Sequence, residues 1–252
     1  MSLLELKAVS KRFGGLMAVG NMSFKLEKGE ILGLIGPNGA GKTTIFNLIN
    51  GYFPLTAGSI FLNGKRIDGM KPHVVCQLGL ARTFQVVKPL ARLTVLENVM
   101  ASAFCRTDHR EEARKMALEA TAFAEMEDWR DRTAGSLPLG MRKRLEMARA
   151  LATKPQLLLL DENFAGLNPS EVEKTIEIVK KIHATGITIL IIELNMRVIM
   201  AISQRLICIN YGEKIAEGTP REVADNQQVI DAYLGVAGDL AVPRTPGSGA
   251  HA

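Results

Sequence analysis

Gly36-Pro37-Asn38-Gly39-Ala40-Gly41-Lys42-Thr43 decides how the rest of the chain reads. Two glycines with four residues between them precede a Lys-Thr pair, the spacing of a loop that wraps phosphates. Its surroundings agree. The apolar run Ile31 to Ile35 leads in and reads as a buried strand. Thr44 to Asn50 follows and reads as a helix, closed by Gly51 at the expected C-terminal position. A polyphosphate needs many donors in a small volume, and backbone N–H groups supply them. Glycines let the chain bend around the phosphates, and the helix N-terminus adds its partial positive charge. In this frame Gly36 to Thr44 hold the phosphates. Lys42 reaches the β- and γ-phosphates, and the Thr43 hydroxyl ligates Mg²⁺.

A second element answers the first. Leu157 to Leu160 reads as a strand and ends in Asp161-Glu162. Two carboxylates at the end of a buried strand are expensive unless they meet cations. Beside a phosphate loop, Asp161 can hold Mg²⁺ through water and Glu162 can polarise an attacking water as general base. Gln85 ends the stretch Leu80 to Gln85. It can ligate Mg²⁺ or water, although by spacing alone it equally fits a surface glutamine.

The 252 residues suffice for one large α/β domain, or a core with a small subdomain. With 47% hydrophobic and 23% charged residues the composition is that of a globular protein. The longest apolar runs, near Leu157 and Ile187, are strand-sized and too short to span a bilayer. Charges at Glu5, Lys7, Lys11 and Arg12 interrupt any apolar opening, so no signal peptide is expected. Cys76, Cys105 and Cys208 are widely spaced and suit reduced thiols. The net charge of +5 is modest. The cluster Arg142-Lys143-Arg144 with Arg149 reads as the solvated face of a helix. Aromatics are only 5% and do not interleave with the basic residues, which argues against a nucleic-acid platform.

The first part of the chain is β-rich. Leu3 to Val9 and Asn21 to Leu26 alternate like strands, and Ser59 to Leu62 runs into the hairpin turn Asn63-Gly64. The middle, Thr94 to Thr153, is helical. His109 to Met126 puts Ala113, Met116, Ala117, Ala120, Phe123 and Ala124 on one face. The last part alternates strand and helix. Asn168-Pro169 caps a helix to Ala184, Gly186 ends it, and Ile187 to Ile192 is a strand. Gln204 to Asn210 and Lys214 to Gly218 form a hairpin around Gly212. The alternation predicts a parallel sheet. Residues 236–252, rich in Gly, Ala and Pro, are expected to be a mobile tail, partly introduced by cloning.

In this order the elements resemble the ATP-binding subunit of an ATP-binding-cassette transporter, from Leu3 to about Gly235. Phe13 matches the adenine-stacking aromatic, Gly36 to Thr43 the Walker A loop, and Gln85 the Q-loop. Leu157 to Glu162 matches Walker B, and Ala165 to Asn168 the D-loop. Arg82 to Gln85, Leu93 to Asn98, Ala165 to Pro169 and Ala232 to Gly235 are similar to the branched-chain, or hydrophobic, amino-acid uptake group. Urea and amide importers share much of this. The resemblance implies an α/β P-loop NTPase, RecA-like, with an antiparallel β subdomain and an inserted helical subdomain at about 88–155. It implies a head-to-tail pair of cassettes, identical or not, with ATP and Mg²⁺ between them. It also implies membrane permeases, a periplasmic solute-binding protein acting indirectly, and a peripheral place on the cytoplasmic face of the inner membrane.

The chain departs from the family pattern at three places. The signature segment is Leu137-Pro138-Leu139-Gly140-Met141, with Pro138 at the serine position and Met141 at the glutamine position. Proline offers neither hydroxyl nor N–H, and methionine cannot replace the glutamine's hydrogen bonds. Leu194 stands where the switch histidine belongs. Asn163 follows Glu162 where proline is common. Two functions follow. One is an energy-coupling ATPase of an amino-acid importer. The other is a nucleotide-gated dimeriser that barely hydrolyses.

Overall fold

The computed structural model describes residues 2–85 and 87–239. Strands β1 (Ser2–Phe13), β2 (Leu16–Glu27), β4 (Ala57–Leu62) and β5 (Lys65–Arg66) form an antiparallel sheet in the order β2-β1-β4-β5. The β4–β5 turn falls on Asn63 and Gly64, both at positive φ of 50° and 75°, the geometry of a tight hairpin.

The second sheet contains β3 (Ile31–Ile35), β6 (Leu80–Arg82), β7 (Leu157–Asp161), β8 (Thr188–Ile192), β9 (Arg205–Asn210) and β10 (Glu213–Gly218). Its order is β10-β9-β3-β8-β7-β6, parallel except for the β9–β10 hairpin at the edge. The leucine run of β7 needs no alternation because both faces are covered. Leu157 and Leu159 enter the core shared with the antiparallel sheet, while Leu158 and Leu160 enter a second core. Helix α6 (Pro169–Ala184) lines that second core with Val172, Ile176 and Val179.

A third core is built mainly from helices α3 (Val95–Ala103), α4 (Arg110–Phe123) and α5 (Leu139–Ala152), with Ala124, Met126, Ala134 and Leu137 from the connection between α4 and α5. The segment Leu93 to Asn98 works as a local clamp. Thr94 and Glu97 form a reciprocal capping box at the start of α3. Buried Asn98 accepts from the Leu90 N–H at 2.8 Å and donates to the carbonyl of Thr94 at 2.8 Å. Arg106, just past α3, ties this helical layer to the short helix Pro72–Gln77 that leads into β6. Its guanidinium donates to the carbonyls of Cys76 (2.9 Å), Gln77 (2.8 Å) and Thr153 (2.5 Å).

One expectation is corrected here. Phe123 is not in the α4 core but 44% exposed; it ends the helix, and its ring borders a surface groove with Leu151, Pro155 and Ile187. Of the expected tail, only residues 236–239 fall among those described. Helix α9 (Gln227–Asp239) continues through 236–239, and the remaining residues lie outside the described part of the chain. Among the described residues no helix is long and apolar enough to cross a membrane, and the three cysteines are free.

Candidate functional site

The phosphate-type loop leaves the central strand β3 at Gly36. Only glycine fits there: φ is +150° and an added Cβ would lie 2.1 Å from the Ile209 carbonyl oxygen. Gly41 likewise has φ of +104°, with a Cβ position 2.5 Å from the Ala18 oxygen. Between them Pro37 and Ala40 are buried and Asn38 and Gly39 are exposed. Helix α1 (Lys42–Ile49) starts directly behind. Lys42 is only 6% exposed. Its ammonium donates back to the loop, to Gly36 O at 2.7 Å and Pro37 O at 2.8 Å. Burial holds its pKa below the ordinary lysine value, against the opposing charges of Glu162, Cys208 and Asp161.

Two clefts meet at Thr43. The first, of about 370 Å³, runs past Phe13, the loop from Asn38 to Thr44, Glu162 and Tyr211. The second, of about 420 Å³, holds Arg82, Gln85, Glu146, Arg149 and Asp161. Phe13 is 41% exposed, with its edge against Phe53 at 5.3 Å and the Lys11 ammonium 4.8 Å from its centroid. Tyr211, 82% exposed at the β9–β10 turn, supplies a second aromatic to the same cleft. Nothing in its sequence position marked it, because the β9–β10 hairpin meets the loop only in three dimensions. There Gly212 donates to Ala40 O at 2.9 Å.

Asp161 ends β7 and is 2% exposed. Its Oδ2 accepts from Arg82 at 2.7 Å, and Arg82 also donates to Asn47 Oδ1 at 2.6 Å. Its Oδ1 is buried with no partner. A buried orphaned carboxylate oxygen in a cleft shared with Thr43 and Gln85 fits a hard, oxygen-seeking divalent cation. Arg82 meanwhile offsets part of the cost of the buried charge.

Glu162 adopts a positive φ of 48°. Its N–H extends the sheet to Ile192 O at 2.9 Å, and its side chain accepts from Gln85 Nε2 at 2.5 Å. The glutamine and the carboxylate, far apart in sequence, are thus direct partners. Asn163, in the proline position, is fully buried and accepts a short bond from the Thr83 hydroxyl. Without proline the preceding residue escapes the pre-proline restriction, which leaves Glu162 freer to hold its left-handed conformation. Buried Glu193 accepts from Phe164 N–H at 2.8 Å and fixes the chain just beyond Glu162. Burial pushes its carboxyl up to about 7.

The basic cluster on α5 corrects the sequence reading. Lys143 and Arg144 are 3% and 6% exposed, not solvated. The Lys143 ammonium donates to the carbonyls of Glu162 (3.0 Å) and Gln85 (3.2 Å). It joins the helical layer to both carboxylate-side elements, and a run of charges in sequence carries no sign of that inward turn.

The signature residues line neither cleft. Leu137 is buried, and exposed Pro138 caps α5 without any side-chain bond. Leu139 is 47% exposed and Met141 is half-buried. A Cβ on Gly140 would lie 2.5 Å from Glu171 Oε1. Glu171 in turn closes a capping box with Asn168, the last residue of the D-loop match. Leu194 is 48% exposed and presents no polar side-chain atom. His183 is engaged with Gly29 O at 2.7 Å.

The profile of the ABC transporter family matches residues 19–165, and that of the branched-chain amino acid ATP-binding cassette transporter matches residues 213–239. The high-affinity branched-chain amino acid transport ATP-binding protein BraF of Pseudomonas aeruginosa is 37% identical, covering 93% of this chain and 98% of its own. Its counterpart LivG of Escherichia coli is 38% identical, with 93% and 98% covered. The lipopolysaccharide export system ATP-binding protein LptB of Escherichia coli is 36% identical, again over 93% and 98%. Among solved structures, an ABC transporter cassette in its ADP conformation superposes with a TM-score of 0.85 at 30% identity, covering 93% of this chain and 99% of that one. A bacterial cassette solved as a dimer gives 0.78 at 27% identity, covering 86% and 99%. With the phosphate loop, the paired carboxylates and both profile matches in one chain, this protein belongs to the ABC transporter family as an ATP-binding cassette.

Proposed function

We propose that this chain couples ATP binding and hydrolysis to import of branched-chain or other hydrophobic amino acids through a membrane permease. The observation that carries the reading is the convergence on Thr43 of the glycine loop, the orphaned Asp161 oxygen and the Gln85–Glu162 pair. Thr43, Gln85 and Asp161 would hold Mg²⁺, which supplies charge neutralisation on the phosphates. Lys42 exchanges its two loop carbonyls for phosphate oxygens. The loop amides and the α1 N-terminus bind the anion, and Phe13 faces the base. Gln85 releases Glu162, which then takes a proton from the attacking water.

The signature segment Leu137 to Met141 and the Asn168 corner serve a second cassette, identical or not, since they stand outside the chain's own clefts. The cassette spans 1–235, with a helical subdomain at about 88–155 that meets the permease beside Gln85. The chain sits peripherally on the cytoplasmic face of the inner membrane. Phosphate release measured with permease present tests the proposal. Turnover that Glu162→Gln abolishes is expected. Mg-ATP binding with no turnover in the complete transporter would instead mark a nucleotide-gated dimeriser, the outcome that Leu194 and Pro138 favour.

A further inference from the structure

Gly36 is held at both ends of its peptide units. Its carbonyl accepts from Lys42 at 2.7 Å. Its N–H donates to the phenol oxygen of Tyr233 at 2.9 Å, across 197 residues of chain. Tyr233 lies on α9, and none of that helix's described residues lines either cleft. It falls in the stretch that matches the branched-chain profile and outside the stretch that matches the general one.

Three facts make this contact more than packing. The loop carries glycine at positions 36, 39 and 41, each at positive φ, so its backbone has unusual freedom. Gly36 cannot gain rigidity from a side chain, because a Cβ would strike the Ile209 carbonyl. The buried Gly36 N–H needs a partner, and Tyr233 supplies it. The ring is anchored from α9, whose Val229 is buried in the second core. Burial also pushes the Tyr233 phenol up to about 12, so it stays neutral.

We propose that Tyr233 is a positioning residue for the phosphate loop: its hydroxyl fixes the Gly36 peptide, and through it helix α9 sets the affinity for the nucleotide's phosphates. This rests on the ATP-binding reading above. When Lys42 turns from Gly36 O toward phosphate, Tyr233 becomes the remaining side-chain hold on the backbone of Gly36.

The test is Tyr233→Phe in the full chain, which keeps the ring and removes the oxygen. Titration calorimetry with Mg-ATP is expected to show affinity lowered about 2- to 13-fold, the size of one lost hydrogen bond. With the permease present, KM for ATP rises by a similar factor while kcat at saturating ATP holds. Val229→Ala loosens α9 without touching Gly36 and should lower the melting temperature more than Tyr233→Phe does. In the unmodified chain, hydrogen exchange at the Gly36 amide should be slow before any nucleotide is added. Wild-type affinity in Tyr233→Phe, or a Gly36 amide exchanging like an open loop, overturns the proposal. Failure of the wild-type chain to bind Mg-ATP at all overturns the ATP reading instead.

Discussion

The phosphate loop and the positions expected to hold the signature and switch residues are built to opposite standards. In the loop, glycines stand where a Cβ would strike the backbone of another strand, and the one lysine is buried and doubly bonded. By contrast Pro138 caps its helix without a side-chain bond, and Leu194 is half exposed with nothing polar to offer. One region is complete within the chain. At Pro138 and Leu194 the chain offers no polar side-chain atom. On the proposed function, binding and turnover are separable, and mutations should move one without the other.

The largest effect expected is on turnover. Glu162→Gln removes the proposed general base and should lower phosphate release by about 10²–10⁴-fold, with Mg-ATP affinity preserved in calorimetry. A parallel loss of affinity would mean that the carboxylate belongs to the binding half. Lys42→Ala acts on the complete side. It should weaken Mg-ATP binding by about 10- to 100-fold, the value of a charge-assisted hydrogen bond, and unchanged binding would contradict the phosphate-loop assignment. Leu194→His refills the deficient side and should raise turnover by up to about 10²-fold at constant affinity. No gain in a steady-state assay would mean that the deficit lies elsewhere in the site.

The smallest effect concerns Glu193 and the stability of the nucleotide-free chain. Burial pushes its carboxyl from 4.5 to about 7, with a further push from Glu162 and opposition from two backbone N–H groups and Lys143. The folded state then keeps a proton that the unfolded state gives up. The contribution is fully present below about pH 4.5 and is lost as pH rises to about 7. Glu193→Gln keeps the acceptor for Phe164 N–H and should be more stable than the wild type at pH 8. The gain is at most about 3 kcal/mol, or several degrees in melting temperature. The two proteins should converge at pH 4.5. A difference that does not change with pH would rule out titration of this carboxyl as the cause.

Much of the fold was legible because local rules suffice for it. The Asn63-Gly64 turn, the Asn168-Pro169 cap and the doubly buried leucine strand each follow from short-range sterics or burial. Misreadings fell where orientation is tertiary. Phe123 obeyed the helical period but lay at the helix end, where no partner covers it. Lys143 and Arg144 looked like surface charge and turned inward, because carbonyls and carboxylates from other elements wait there.

The order of residues alone determined the loop, its lysine and threonine, and the two carboxylates at a strand end. These depend on φ, donor chemistry and nearest neighbours, which spacing records. Only the folded arrangement decided that Gln85 grips Glu162, that Arg82 neutralises Asp161 and that Tyr233 holds Gly36. Each of those contacts joins segments brought together by strand order and packing, and no local pattern encodes which distant group will be there.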